Sequence, residues 1–130
     1  MKTVRLIVRG NPVGGLVLVA TTHAERMRGL LGRTSLPIDH AMLLSPCRAI
    51  HTWGMQFAID VVFLDADNRV TRTVAGVKPW RLAWGRLRTK ATLEFSAGWL
   101  ARSLLAPGDA IAFSAEVNGE VEPERLAADC

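Results

Sequence analysis

Residues 57–65, Phe57-Ala-Ile-Asp-Val-Val-Phe-Leu-Asp65, carry the strongest strand signal in the chain. They are dominated by branched and aromatic side chains, which suit a pleated, buried surface. Ala66-Asp67-Asn68 then supplies a turn, and residues 69–75, RVTRTVA, return antiparallel. Such a hairpin needs further strands to cover it, and the rest of the chain provides them. Residues 3–9, TVRLIVR, alternate apolar and polar, as a half-buried strand does. The turn cluster Gly10-Asn-Pro-Val-Gly-Gly15 separates them from a second strand at 16–21. Residues 41–44, 91–96 and 109–117 read as strands, and 49–53 as extended before a bend at Gly54.

Two short helices interrupt this pattern. Thr22-His-Ala-Glu25 has the capping-box spacing and predicts a helix through about Leu31, closed by Gly32. Met27, Leu30 and Leu31 fall on one of its faces and are expected to cover a sheet. A second helix is predicted over 97–104, begun by Gly98 and anchored by Trp99, with Pro107-Gly108 as its stop. Many short strands with two short helices predict a mainly β fold, a single-domain β-sandwich or partly closed barrel of jelly-roll type. The 130 residues fit one domain, taken as 1–118, with 119–130 an acidic, mobile tail.

The two cysteines, Cys47 and Cys130, are too few for a disulfide scaffold and read as free thiols in a reducing compartment. At the N-terminus, Arg9 and Asn11-Pro12 break the apolar run that a secretory signal requires, about 7–15 residues. No segment approaches the ~18 apolar residues of a membrane span. A soluble, cytoplasmic protein is expected. The formal net charge of +4 mildly favours anionic partners.

Polar groups concentrate in Cys47-Arg-Ala-Ile-His51-Thr-Trp-Gly-Met55 and at Asp60. In a strand, Asp60 shares a face with Val62 and Leu64, opposite Ile59, Val61 and Phe63. A carboxylate on an apolar face must be paired or hydrogen-bonded. Asp60 is therefore either a structural strut or an acid–base group that orients His51. Such a His–carboxylate pair is half of many catalytic devices, with Cys47 a candidate nucleophile beside it. Cys47, His51 and Met55 would suit a thiophilic metal such as copper if His23 or His40 came close as a second imidazole, but no paired-ligand spacing accompanies them, so no metal or other cofactor is assigned. Glu94 alternates with Leu93 and Phe95, and either is exposed or meets an arginine across the sheet.

Four stretches in order carry a resemblance: Arg26-Met-Arg-Gly-Leu-Leu-Gly-Arg33, Ile50-His-Thr-Trp-Gly-Met55, Ile59-Asp-Val-Val-Phe-Leu-Asp65, and Leu93-Glu-Phe-Ser-Ala-Gly-Trp99 followed by Pro107-Gly-Asp109. Together they resemble the domain-of-unknown-function 192 family, also called UPF0127, over about residues 14–113. The resemblance implies a compact β-sandwich similar to jelly rolls, and no activity. The chain departs from many members in two places. It has Ala41-Met-Leu-Leu44 where they read Gly-Met-Leu-Phe, and Trp53-Gly-Met55-Gln where they carry Trp-Met followed by Lys-Asn.

Residues 78–90, KPWRLAWGRLRTK, hold five positive charges, no acid, and Trp80 and Trp84. Cations interleaved with indoles suit phosphate, nucleic acid, acidic peptide or anionic lipid. Lys78, Arg81, Trp84, Arg86 and Arg88 are the candidate anion-binding residues. No nucleic-acid-binding signature accompanies them. Three functions follow. The leading one is a small binding module whose cleft, for an unknown small ligand or protein, is lined by His51, Thr52, Trp53, Met55 and Asp60. The second is a hydrolase-type enzyme using His51 and Asp60, with or without Cys47. The third is an anion- or nucleic-acid-binding adaptor working through 78–90.

Overall fold

A computed structural model describes residues 1–117. Nine strands and two helices follow one another as β1 (Lys2–Val8), β2 (Asn11–Ala20), α1 (His23–Arg28), β3 (Ala41–Leu44), β4 (Ala49–His51), β5 (Ile59–Leu64), β6 (Val70–Val77), β7 (Leu82–Trp84), β8 (Ala91–Ser96), α2 (Trp99–Ser103) and β9 (Ile111–Phe113). The fold is mainly β. Seven strands form one sheet in the order β6-β5-β8-β3-β2-β1-β9, and β4 pairs with β7 in a separate ribbon. All sheet neighbours are antiparallel except β2 and β3, which run parallel because α1 and its flanking turns carry the chain back between them.

The sheet curls into a half-barrel whose two edges meet at one end. Arg69 bridges Ala110 there. The Val70 N–H donates to the Asp109 carbonyl at 2.8 Å, and the Ile111 N–H to the Asn68 carbonyl at 3.0 Å. Joining the edge strands in this way removes part of the unpaired backbone that an open sheet would expose.

Strand alternation divides the apolar side chains between two cores. Inside the curl lie Val4, Leu6, Val17, Val19, Leu43, Val62, Leu64, Leu93 and Phe95, with Trp99 and Leu100 of α2 plugging the opening. The Trp99 indole stacks on Phe95 with ring centroids 3.6 Å apart and planes within 8°. On the outer face, Leu18, Met42, Leu44, Ile59, Val61 and Phe63 are covered by Leu30, by Met55 and by Ile50 and Ala83 of the ribbon.

The structure differs from the sequence-based expectation in several local features, and β2 begins at Asn11, inside the predicted turn cluster. Helix α1 ends at Arg28, because Gly29 takes the C-cap with φ 49° and ψ −125° and its N–H returns to the Glu25 carbonyl. Met27 therefore points to solvent, and Leu30 enters the core from the following turn. The capping box itself is made as predicted, with Glu25 N–H on Thr22 Oγ1 and Thr22 N–H on Glu25 Oε1, both at 3.1 Å. Helix α2 spans only Trp99–Ser103, and β9 only Ile111–Phe113. Strand β7 lies within the basic stretch and has no counterpart in the predicted strands. The acidic tail and Cys130 lie outside the described residues.

Candidate functional site

A pocket of about 270 Å³ opens on the outer face of the sheet, between the end of α1 and β4. Its apolar lining comes from Leu30, Leu44, Ile50 and Met55. Arg26 and Arg28 approach from α1, and Arg48 and His51 from β4 and the turn before it. Helix α1 delivers two arginines to one opening because its last turn is basic and Gly29 ends it there.

Glu94 lies within this lining. It stands mid-way along β8, opposite Met42 of β3 on one side and Val61 of β5 on the other. Both neighbours are buried apolar side chains, and Glu94 itself is only 4% exposed. The carboxyl makes no hydrogen bond or ion pair among the described residues. Burial pushes it up from 4.5 to about 7, so near neutrality it is shared between the acid and the carboxylate. A raised acid in a concave site makes Glu94 a candidate functional group.

Cys47 contributes a half-buried thiol to the same pocket. Its sulfur donates to the Ala49 carbonyl at 3.2 Å. Burial pushes the thiol above its ordinary range, with the charge of Glu94 adding in the same direction. This is the reverse of the activation a nucleophilic cysteine needs. Among the described residues, no group of three or more His, Cys, Asp or Glu side chains comes together to hold a metal ion.

The residues expected to share a cleft separate into distinct environments. His51 and Met55 line the pocket. Trp53 stands outside it, half exposed, with its ring stacked on His51 at 4.9 Å. Thr52 is fully buried and stitches the ribbon to the preceding loop. Its Oγ1 donates to the Lys78 carbonyl at 2.6 Å and accepts the Arg81 N–H at 2.8 Å.

Asp60 faces the interior of the curl, on the side of the sheet away from His51, and the anticipated His51–Asp60 pair is not formed. Its carboxylate accepts the N–H groups of Gly76 (2.8 Å), Gly98 (3.1 Å) and Leu100 (2.8 Å). Gly98 is the N-cap of α2 and has no capping side chain of its own, so Asp60 caps the helix from across the core. The strut reading fits this geometry. The strand parity that put Asp60 on the face of Val62 and Leu64 was sound, and the opposite parity puts Glu94 on the outer face. Only the long-range strand order, with β8 central, could reveal that Glu94 is buried there.

In the basic stretch, the indoles point outward rather than into a core. Trp80 is 67% exposed and Trp84 57% exposed. Arg72 of β6 lies over the Trp84 ring at 5.7 Å and donates to the Trp84 carbonyl at 2.6 Å. Lys78, Arg81, Arg86 and Arg88 are all exposed.

The family model DUF192, described as "Uncharacterized ACR, COG1430", matches residues 7–113. The chain belongs to the DUF192 family. Among solved structures, it is similar to a protein of unknown function from Novosphingobium aromaticivorans DSM 12444, at 25% identity and a TM-score of 0.74, covering 85% of this chain and 83% of the other. A candidate transcription regulator from Sinorhizobium meliloti 1021 is also 25% identical, with a TM-score of 0.72, over 86% of this chain and 92% of that one. A candidate exported protein from Burkholderia pseudomallei K96243 shares the fold at 15% identity and a TM-score of 0.50, over 92% of this DUF192 chain and 27% of its own. No curated protein matches. No helix among the described residues is long and apolar enough to cross a membrane.

Proposed function

We propose that this DUF192 protein is a small-molecule binding module, and that the pocket over Glu94 is its ligand site. The observation that carries this reading is a carboxyl without a protein partner, among the described residues, at the floor of an apolar pocket with a basic rim. The carboxyl oxygens are not sealed off from the pocket, so a ligand that enters can meet them. The lining favours a compact, largely apolar molecule with one anionic group. The apolar body would rest on Leu30, Leu44, Ile50 and Met55, and the anion would face Arg26 and Arg28. Protonated Glu94 would donate its O–H to an acceptor atom on the ligand, so binding strengthens as pH falls through about 7. The other charged or titratable groups around it are His23, Cys47, Arg48 and His51.

Binding rather than catalysis is favoured because the Cys47 thiol is held back from ionising and, among the described residues, no base–nucleophile pair is assembled. The test is an NMR titration that follows the methyl groups of Leu30, Ile50 and Met55. The probes are short aliphatic and aromatic carboxylates, each paired with its neutral amide. Carboxylates should move these methyls more than the amides do, and Arg28→Ala should weaken the response. A panel that leaves the pocket methyls unmoved on both sides of neutral pH overturns the reading.

A further inference from the structure

The outer face of the β4–β7 ribbon presents apolar side chains to water where a two-stranded ribbon could have shown polar ones. Ala49 pairs with Trp84, Ile50 with Ala83, and His51 with Leu82. Ile50 and Ala83 point inward, so Ala49, His51, Leu82 and Trp84 share the outward face. Trp53 extends this row at one end by stacking on His51, and Trp80 enters the loop beside it through a hydrogen bond to the Thr52 carbonyl at 3.0 Å. Leu87 extends it at the other end, next to Trp84 and Arg86. Leu82 is 57% exposed and Leu87 86% exposed. Trp80 is held outward with φ 64°, a region that bulky residues seldom occupy.

Cations border the row. Lys78 and Arg81 stand with Leu82 and Trp84, and Arg86 and Arg88 flank Leu87 in sequence. No acid lies between residues 78 and 90. Indoles and arginines together suit either stacked bases or lipid headgroups. The leucines decide between them. A protruding Leu87 between two arginines has no stacking face to offer a base, but it buries hydrocarbon when it enters the acyl boundary, while its neighbours meet phosphate.

We infer that the β4–β7 ribbon docks on an anionic lipid surface, with Trp53, Trp80, Leu82, Trp84 and Leu87 entering the headgroup boundary and Lys78, Arg81, Arg86 and Arg88 meeting the lipid phosphates. This surface adjoins the pocket at Ala49 and His51 but does not include Glu94 and does not depend on a ligand there.

The test is co-sedimentation of the full chain with vesicles of phosphatidylcholine alone and of an equimolar mixture with phosphatidylglycerol, with tryptophan emission recorded in parallel. The protein should sediment with the mixed vesicles, and its emission should shift to the blue. Removing Arg86 or Arg88 should weaken binding about fivefold for each, the equivalent of about 1 kcal/mol per cation at an anionic surface. Leu87→Ser and Trp80→Ala alter exposed side chains and should weaken binding with the positive charge intact. Failure to sediment with mixed vesicles at low salt overturns the inference. So does binding to the mixture that the charge variants reduce but Leu87→Ser leaves unchanged, because that pattern is generic anion attraction. Tight binding of a single-stranded oligoribonucleotide that Trp80→Ala abolishes, with no vesicle binding, assigns the face to nucleic acid instead.

Discussion

Oε1 of Glu94 lies beneath the backbone of Gly29, 3.8 Å from where a Cβ on that residue would stand. The end of α1 therefore forms the roof over the acid, and the roof depends on a backbone conformation that glycine alone tolerates well, φ 49° with ψ −125°. The added carbon would meet the Arg26 carbonyl, Glu94 and Leu44 at ordinary contact distances of 3.8–3.9 Å, so the cost of a side chain here is conformational rather than steric. Gly29→Ala should destabilise the protein by about 1–3 kcal/mol in denaturant unfolding. An unchanged midpoint would show that the α1 terminus does not hold this conformation.

Asp60 joins three elements through one carboxylate, since Gly76 ends the exposed part of β6 while Gly98 and Leu100 begin α2. Asp60→Ala leaves the buried Leu100 N–H and two part-buried glycine N–H groups without their acceptor and should cost about 1–3 kcal/mol. Asp60→Asn keeps one accepting oxygen and should cost less. Both variants, where folded, should still bind the pocket probes, because Asp60 faces the other side of the sheet. Loss of probe binding in a folded Asp60→Asn protein would join the two sides of the sheet in one site.

Cys47 should resist alkylation. Burial raises its thiol, so at neutral pH the thiolate is scarcer than in a free cysteine. With Cys130 replaced by serine, iodoacetamide should label Cys47 slowly in the native protein and rapidly in urea. Native labelling as fast as that of a small free thiol would restore Cys47 as a candidate nucleophile.

The raised carboxyl of Glu94 has a stability consequence of fixed sign. In the folded chain the group titrates at about 7, and its ordinary value is 4.5. Between those values the folded protein binds more protons than the unfolded one, so stability falls as pH rises across that window. The whole span corresponds to about 3 kcal/mol of differential stabilisation of the protonated form. Glu94→Gln removes this dependence. The variant should match the parent near pH 5 and exceed it above pH 7, measured by urea unfolding at each pH. A parent protein whose stability rises from pH 5 to 7 in step with the variant would contradict the assignment.

Local sequence signals carried much of this architecture. The capping box at Thr22 and Glu25, the β5–β6 hairpin and the alternate facing of Asp60 all follow from residues within a few positions of one another. What was not legible depends on distant pairing. Leu82–Trp84 lies within the cationic stretch, where three residues cannot show a period, and it is a strand by pairing with β4. The separation of His51 from Asp60 follows from the ribbon lying on the outer face of the sheet, which neither residue's neighbours encode. Glu94 is ambiguous in sequence for the same reason. Its strand alternation is evident, but its burial comes from Met42 and Val61 on strands far away in the chain.

The proposed ligand site depends on the proton at Glu94. A ¹³C NMR titration of the glutamate side-chain carboxyls, with Glu94 assigned by its absence in Glu94→Gln, measures it directly. A midpoint near 7, shifting when a carboxylate probe occupies the pocket, is the predicted result. A midpoint near 4.5, unmoved by any probe, would mean that the carboxyl is solvated and that the pocket is not a ligand site.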